Sequence, residues 1–248
     1  MRKLPRVLER EPLVDAVFEV RLGGLPHLAD ILPGVLFEYF SPKPAIVRLP
    51  AADMPQPIRA NDPELQFAPT IRLDVGAYYV SFGDKNLVIS CKLPYQKWPA
   101  FKAKILEICD KIASIGIVGS VERYSLKYVN IIPAETITEQ ISKIDLSIRV
   151  GDVTVADDHF RVMVHKKEAE SIHIITVATG ANAVLPDGRA LSGVVVDIDS
   201  IRMGQFSDFS TFVGNLSESV ETLRLENKVK FFSCLTEDAI AEMRPTYA

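Results

Sequence analysis

One pattern occurs twice along this chain: a set of alternating strands, then a single long amphipathic helix. The first set runs from Thr70 to Lys92 and leads into a helix near Phe101–Ile115. The second runs from Leu146 to Met203 and leads into a helix near Ser207–Leu225 or beyond. The expectation is an α+β protein in two tandem halves, residues 1–134 and 135–248, each an antiparallel sheet followed by a long helix. The halves either stand as two small domains or pack as one, and 248 residues can bury a substantial core in both cases.

The elements follow from local patterning. Leu13–Leu22 reads as a strand with Asp15, Glu19 and Arg21 among its polar positions, closed by Gly23-Gly24. Pro26 opens a short helix that Pro33-Gly34 must bend or end. Seven prolines fall between Ser41 and Pro69, so that stretch is expected to hold no regular helix and one short strand, Ala45–Leu49. Thr70–Val75, Tyr78–Phe82 and Asn86–Leu93 make a meander. Phe101, Ile105, Ile108 and Ile112 then form a helical stripe that Gly116 stops. Val121–Ile132 alternates Tyr124, Leu126 and Tyr128 with Arg123, Ser125 and Lys127. Further on, Leu146–Val150, Val153–Val155, Phe160–His165, Ile172–Ala178 and Gly193–Met203 are strand candidates. Lys166–Ser171 is a hairpin tip, and Pro186-Asp187-Gly188 a turn. Phe209, Phe212, Val213, Leu216, Val220 and Leu223 stripe the closing helix, and Thr236 caps a last short one reaching Met243.

Composition narrows the function classes. The formal charge of -4, with Lys and Arg scattered, gives no attraction to phosphate backbones, so nucleic acid is not an expected partner. No apolar run is long enough to cross a bilayer, and no apolar core follows the basic start Met1-Arg2-Lys3; a cytoplasmic location is expected. Cys91, Cys109 and Cys234 are far apart and odd in number, as buried thiols in a reducing compartment would be. No cofactor is expected, because a phosphate-cradling glycine loop, a nucleophile elbow and an HExxH helix are all missing.

Three polar groupings are candidate sites. His165 and His173 flank the hairpin tip: a five-residue loop sets them opposite each other on one face, within reach of a shared metal, whereas a loop one residue different turns them to opposite faces. Asp197 and Asp199 alternate with Val196 and Ile198, so both carboxylates face one side of a strand, where they either bind a divalent cation or form a solvated face. Arg123, Lys127 and Asn130, with Tyr128 behind, offer two cations at strand spacing to a carboxylate or phosphate; those cations would equally pair with Glu122 or with acids on a neighbouring strand. Trp98 reads as a packing anchor.

Several stretches together resemble one family, the sporadically distributed prokaryotic proteins of about this length whose function is uncharacterised. Pro12-Leu13-Val14-Asp15-Ala16-Val17-Phe18-Glu19-Val20-Arg21 is similar to the family's opening P-[IL]-V-x-A-x-x-E-[IV]-R. Leu65-Gln66 and Tyr95-x-x-Trp98-x-x-Phe101 look like its middle segment. Arg123 through Ile132 resembles its R-x-x-x-R-Y-x-N-x-[IV] strand, and Phe231-Phe232-x-x-Leu235-Thr236 with Met243-x-Pro245 its closing helices. Lys127 departs from the family's preferred Arg, which weakens bidentate anion binding there. Leu223-Arg224 stands where Leu-His is often seen. The resemblance implies a fold and leaves the activity open.

With no coherent set of nucleophile, base and oxyanion donors, the leading expectation is a non-enzymatic binding or regulatory module for a protein or small-molecule partner. The alternative is a metal-dependent, hydrolase-like enzyme using His165, His173, Asp197 and Asp199. A homodimer paired through sheet edges is a further arrangement open to such a chain.

Overall fold

The computed structural model describes residues 3–23 and 28–247; Gly24 and Pro26, read as closing a strand and opening a helix, lie outside the described residues. Thirteen strands and six α-helices follow one another among the described residues. β1 (Val7–Leu8) pairs with β13 (Pro245–Thr246) at the other end of the chain. β2 (Leu13–Leu22) buries Ala16, Phe18, Val20 and Leu22 on one face and sets Asp15, Glu19 and Arg21 on the other.

α1 (Leu28–Tyr39) continues through Pro33-Gly34, so of the two outcomes expected there the helix does not end. Proline there removes one intrahelical hydrogen bond, while Leu28, Leu32 and Leu36 on either side keep the helix buried against the sheet. The proline-rich stretch holds β3 (Ala45–Arg48), a 3₁₀ turn at Pro50–Asp53 and, against expectation, a short helix, α2 (Gln56–Asn61). Pro57 sits in the first turn of α2, where a missing amide leaves no intrahelical bond unmade.

β4 (Ile71–Val75), β5 (Tyr78–Phe82) and β6 (Asn86–Cys91) form the expected antiparallel meander. α3 (Lys97–Ile115) buries Phe101, Ile105, Ile108 and Ile112, and Gly116 closes it at φ 73°, a left-handed cap that suits glycine. β7 (Val121–Pro133) precedes α4 (Ile137–Ser142), which Thr136 and Glu139 cap reciprocally. The two-residue strands β8 (Arg149–Val150) and β9 (Val153–Thr154) pair only with each other, so most of the strand expected at Leu146–Val150 is irregular.

β10 (Arg161–Glu168), β11 (Ser171–Val184) and β12 (Ala190–Phe206) outrun their expected limits, while α5 (Phe209–Ser233) continues beyond Leu225 as the expectation allowed. α6 (Glu237–Glu242) begins at its Thr236 cap. The protein is thus α+β, with helices beside a large antiparallel sheet. No helix among the described residues is long and apolar enough to cross a membrane.

The chain divides into two compact units. One comprises the residues through Ala16, Lys127–Ser200 and those from Leu223 on; its strand order is β10-β11-β12-β7-β2. Its core gathers Ile132, Val177, Val196, Ile198, Phe231 and Leu235, with Ile240 and Met243 from the end of the chain. The other comprises Val17–Leu126 and Ile201–Thr222, with the order β12-β7-β2-β6-β5-β4-β3. Its core includes Phe18, Val80, Phe82, Phe101, Phe209 and Phe212. β2, β7, β12 and α5 each give residues to both units.

Candidate functional site

Strand alternation divides the four residues grouped on β7. Arg123 and Lys127 project to one face, while Tyr128 and Asn130 are buried on the other.

In the unit that holds Lys127, its ammonium lies 3.1 Å from Asp197 Oδ2. Asp197 Oδ1 is buried with no hydrogen-bond partner. Burial pushes the Asp197 carboxyl above the usual range, with Lys127 and then Arg161 pulling it back. Asp15 on β2 behaves alike: burial raises its carboxyl, Lys127 and the Ala16 backbone lower it, and Asp197 raises it further. One lysine therefore serves two half-buried carboxylates. Asp199 lies on the same face of β12 as Asp197.

In the unit that holds Arg123, Glu19 is the hub. It accepts from Arg123 at 3.2 Å, from Arg21 Nε at 3.2 Å and from Asn86 Nδ2 at 3.0 Å. Asn86 also donates to the Phe67 carbonyl at 2.7 Å, and the Arg21 guanidinium lies 3.9 Å from the centre of the Phe67 ring.

Asn130 donates to the Val196 carbonyl at 3.4 Å, and the Arg224 guanidinium covers the Tyr128 ring at 4.4 Å. The histidines do not meet. The β10–β11 register pairs Glu168 with Ser171, His165 with Ile174 and Lys166 with His173, so the tip is only two residues long and the imidazoles point to opposite faces. His165 is exposed; His173 is buried, with Nδ1 2.9 Å from Ser200 Oγ, and Asn227 donates to that same hydroxyl at 3.1 Å. Among the described residues no group of three or more His, Cys, Asp or Glu side chains converges on a point.

Two of the three thiols, Cys109 and Cys234, are poor nucleophiles. Burial raises Cys109 far above the usual range and pushes Cys234 up to about 11. Trp98 packs edge-on against Phe101 and donates its indole N–H to Glu221 at 3.1 Å. A recess of about 620 Å³ lined by Pro133, Glu135, Glu139, Lys143, Leu191 and Ser192 contains none of the candidate residues.

Sequence reasoning did not single out Asp15, Glu19, Arg21, Asn86 or Arg161 as site residues. The polar face of β2 held the signal for the first three; the others depend on pairings distant in sequence. No family model matches the chain, and no curated protein matches it.

Proposed function

We propose that the protein is a cytoplasmic, non-enzymatic binding or regulatory module, and that the sheet face around Lys127 takes a small-molecule or protein ligand. The observation that carries this reading is the state of Asp197: one carboxylate oxygen pairs with Lys127 and the other is buried without a donor, while Asp15 stands near enough to raise its own carboxyl further. Half-buried charges held against their desolvation cost cluster at functional sites more than elsewhere. A ligand offering a hydrogen-bond donor would complete Asp197. The twice-repeated order of sheet and then helix is, on this reading, a duplicated layout within one folded chain, and membership in the uncharacterised prokaryotic family accords with it.

The test is a thermal-shift panel of metabolites and peptides, followed by chemical-shift mapping of any hit. A ligand of this face loses at least about tenfold in affinity for Asp197→Asn and Lys127→Gln, the loss expected when one side of a desolvated charge pair is removed. A hit that binds both variants as tightly as the parent chain overturns the assignment. The same panel with Mn, Zn, Mg and Ca probes the metal-dependent alternative. Metal-stimulated hydrolysis lost in Asp197→Ala would replace the binding-module reading with an enzymatic one.

A further inference from the structure

Lys127 and Tyr128 are neighbours in sequence and point to opposite faces of β7, and the Tyr128 face carries a second charge arrangement. There α5 presents Arg224 and Lys228, one helical turn apart and both half-buried. The Arg224 guanidinium carbon lies 4.4 Å from the centre of the Tyr128 ring, and its Nε is buried with no hydrogen-bond partner. Neither cation has a carboxylate partner among the described residues. Burial and the repulsion of Arg224 together push the Lys228 ammonium below its usual range.

Two of the three acids of α5 have partners of their own. Glu226 accepts from Ser171 at 2.6 Å, and Glu221 pairs with Lys102 at 2.8 Å. Like charges one turn apart destabilise a helix, and withdrawing them from water adds to that cost. An arrangement that keeps both without a counter-charge is half of an ion-binding site.

We propose that Arg224, Lys228 and Tyr128 bind a phosphate dianion, either free or as the terminal group of a small phosphomonoester. The dianion matches two cations where a carboxylate would match one. The ring holds the guanidinium in place, its planar pair of terminal N–H donors suits two phosphate oxygens, and the lysine adds a rotatable point charge. This site lies on the opposite strand face from Lys127 and does not rest on the ligand proposed there.

The experiment titrates the full chain with inorganic phosphate, with glycerol 2-phosphate as a simple phosphomonoester, and with acetate at matched ionic strength, reading the melting midpoint and amide chemical shifts. Phosphate is expected to give a saturable rise in midpoint, acetate none, and amide shifts are expected on α5 around Arg224–Lys228. Tighter binding of glycerol 2-phosphate than of phosphate identifies an esterified ligand; the reverse order identifies the free ion. Arg224→Gln and Lys228→Gln each weaken phosphate binding at least about tenfold. Lys228→Gln without phosphate melts no lower than the parent chain, because it removes a repulsion; that separates loss of the site from loss of the fold. The proposal is overturned if phosphate gives no saturable shift, if acetate shifts the midpoint equally, or if both Gln variants bind as the parent does.

Discussion

Arg59 shows what one side chain does for a segment that its own sequence leaves unorganised. Its guanidinium donates to both oxygens of Asp84, at 3.1 and 2.8 Å, and to the carbonyl of Met54, tying α2 and the 3₁₀ turn before it to the Gly83-Asp84 turn. Both partners are buried. Removing one member of such a pair leaves the other charge without compensation, so Arg59→Ala should cost about 4 kcal/mol in urea unfolding. Arg59→Lys keeps the charge and loses the fork, and should fall between the two. A loss under about 1 kcal/mol for the alanine variant would mean that the pair does not anchor the segment. The same limit governed reading the site from the sequence. Alternation alone separates Lys127 from Tyr128, and places Asp197 and Asp199 on a shared face. That Lys127 meets Asp197, and Arg123 meets Glu19, depends on which strands are neighbours, and no local pattern encodes that.

At the scale of elements, legibility follows length and period. β2, β7 and α3 lie within a few residues of their expected limits because each has one uninterrupted hydrophobic stripe. α1 is longer than the short helix expected and α2 is not expected at all, because proline commonly breaks helices, whereas burial in α1 and a first-turn position in α2 accommodate it. The β10–β11 tip turned on a single residue. Ala169 adopts φ 46°, a left-handed value more usual for glycine, and so closes the hairpin in two residues and separates the histidines. β12 passes β7 closely at Gly193, where a Cβ would stand 2.0 Å from the Ile132 carbonyl oxygen. That contact is backbone and cannot rotate away. Gly193→Ala should therefore destabilise the protein by about 2 kcal/mol and speed amide exchange along β12 and the end of β7. Unchanged exchange in that variant would show the two strands to be free to separate locally.

For the whole molecule, the repeated layout visible in the sequence does not say whether its two sets are autonomous. The distribution of core residues bears on that directly. The unit containing Val17–Leu126 also takes Ile201–Thr222, whose Phe209, Phe212, Leu216 and Val220 are fully buried, with Phe212 5.3 Å from Tyr124. Burying a large apolar side chain contributes about 2 kcal/mol, so these four represent about 8 kcal/mol. That is comparable to the whole stability of an ordinary domain, about 5–15 kcal/mol. A fragment of residues 1–134 lacks all four and should not fold: its amide spectrum should be collapsed and its thermal melt non-cooperative. The complementary fragment 135–248 lacks the residues through Ala16 and Lys127–Ala134, including Ile132 of its core, and should fail in the same way. Mixed or co-expressed, the two should regain a dispersed spectrum and a cooperative melt. A dispersed spectrum from residues 1–134 alone would show instead that the first sheet-and-helix set is a domain in its own right, with the closing helix as an addition to it.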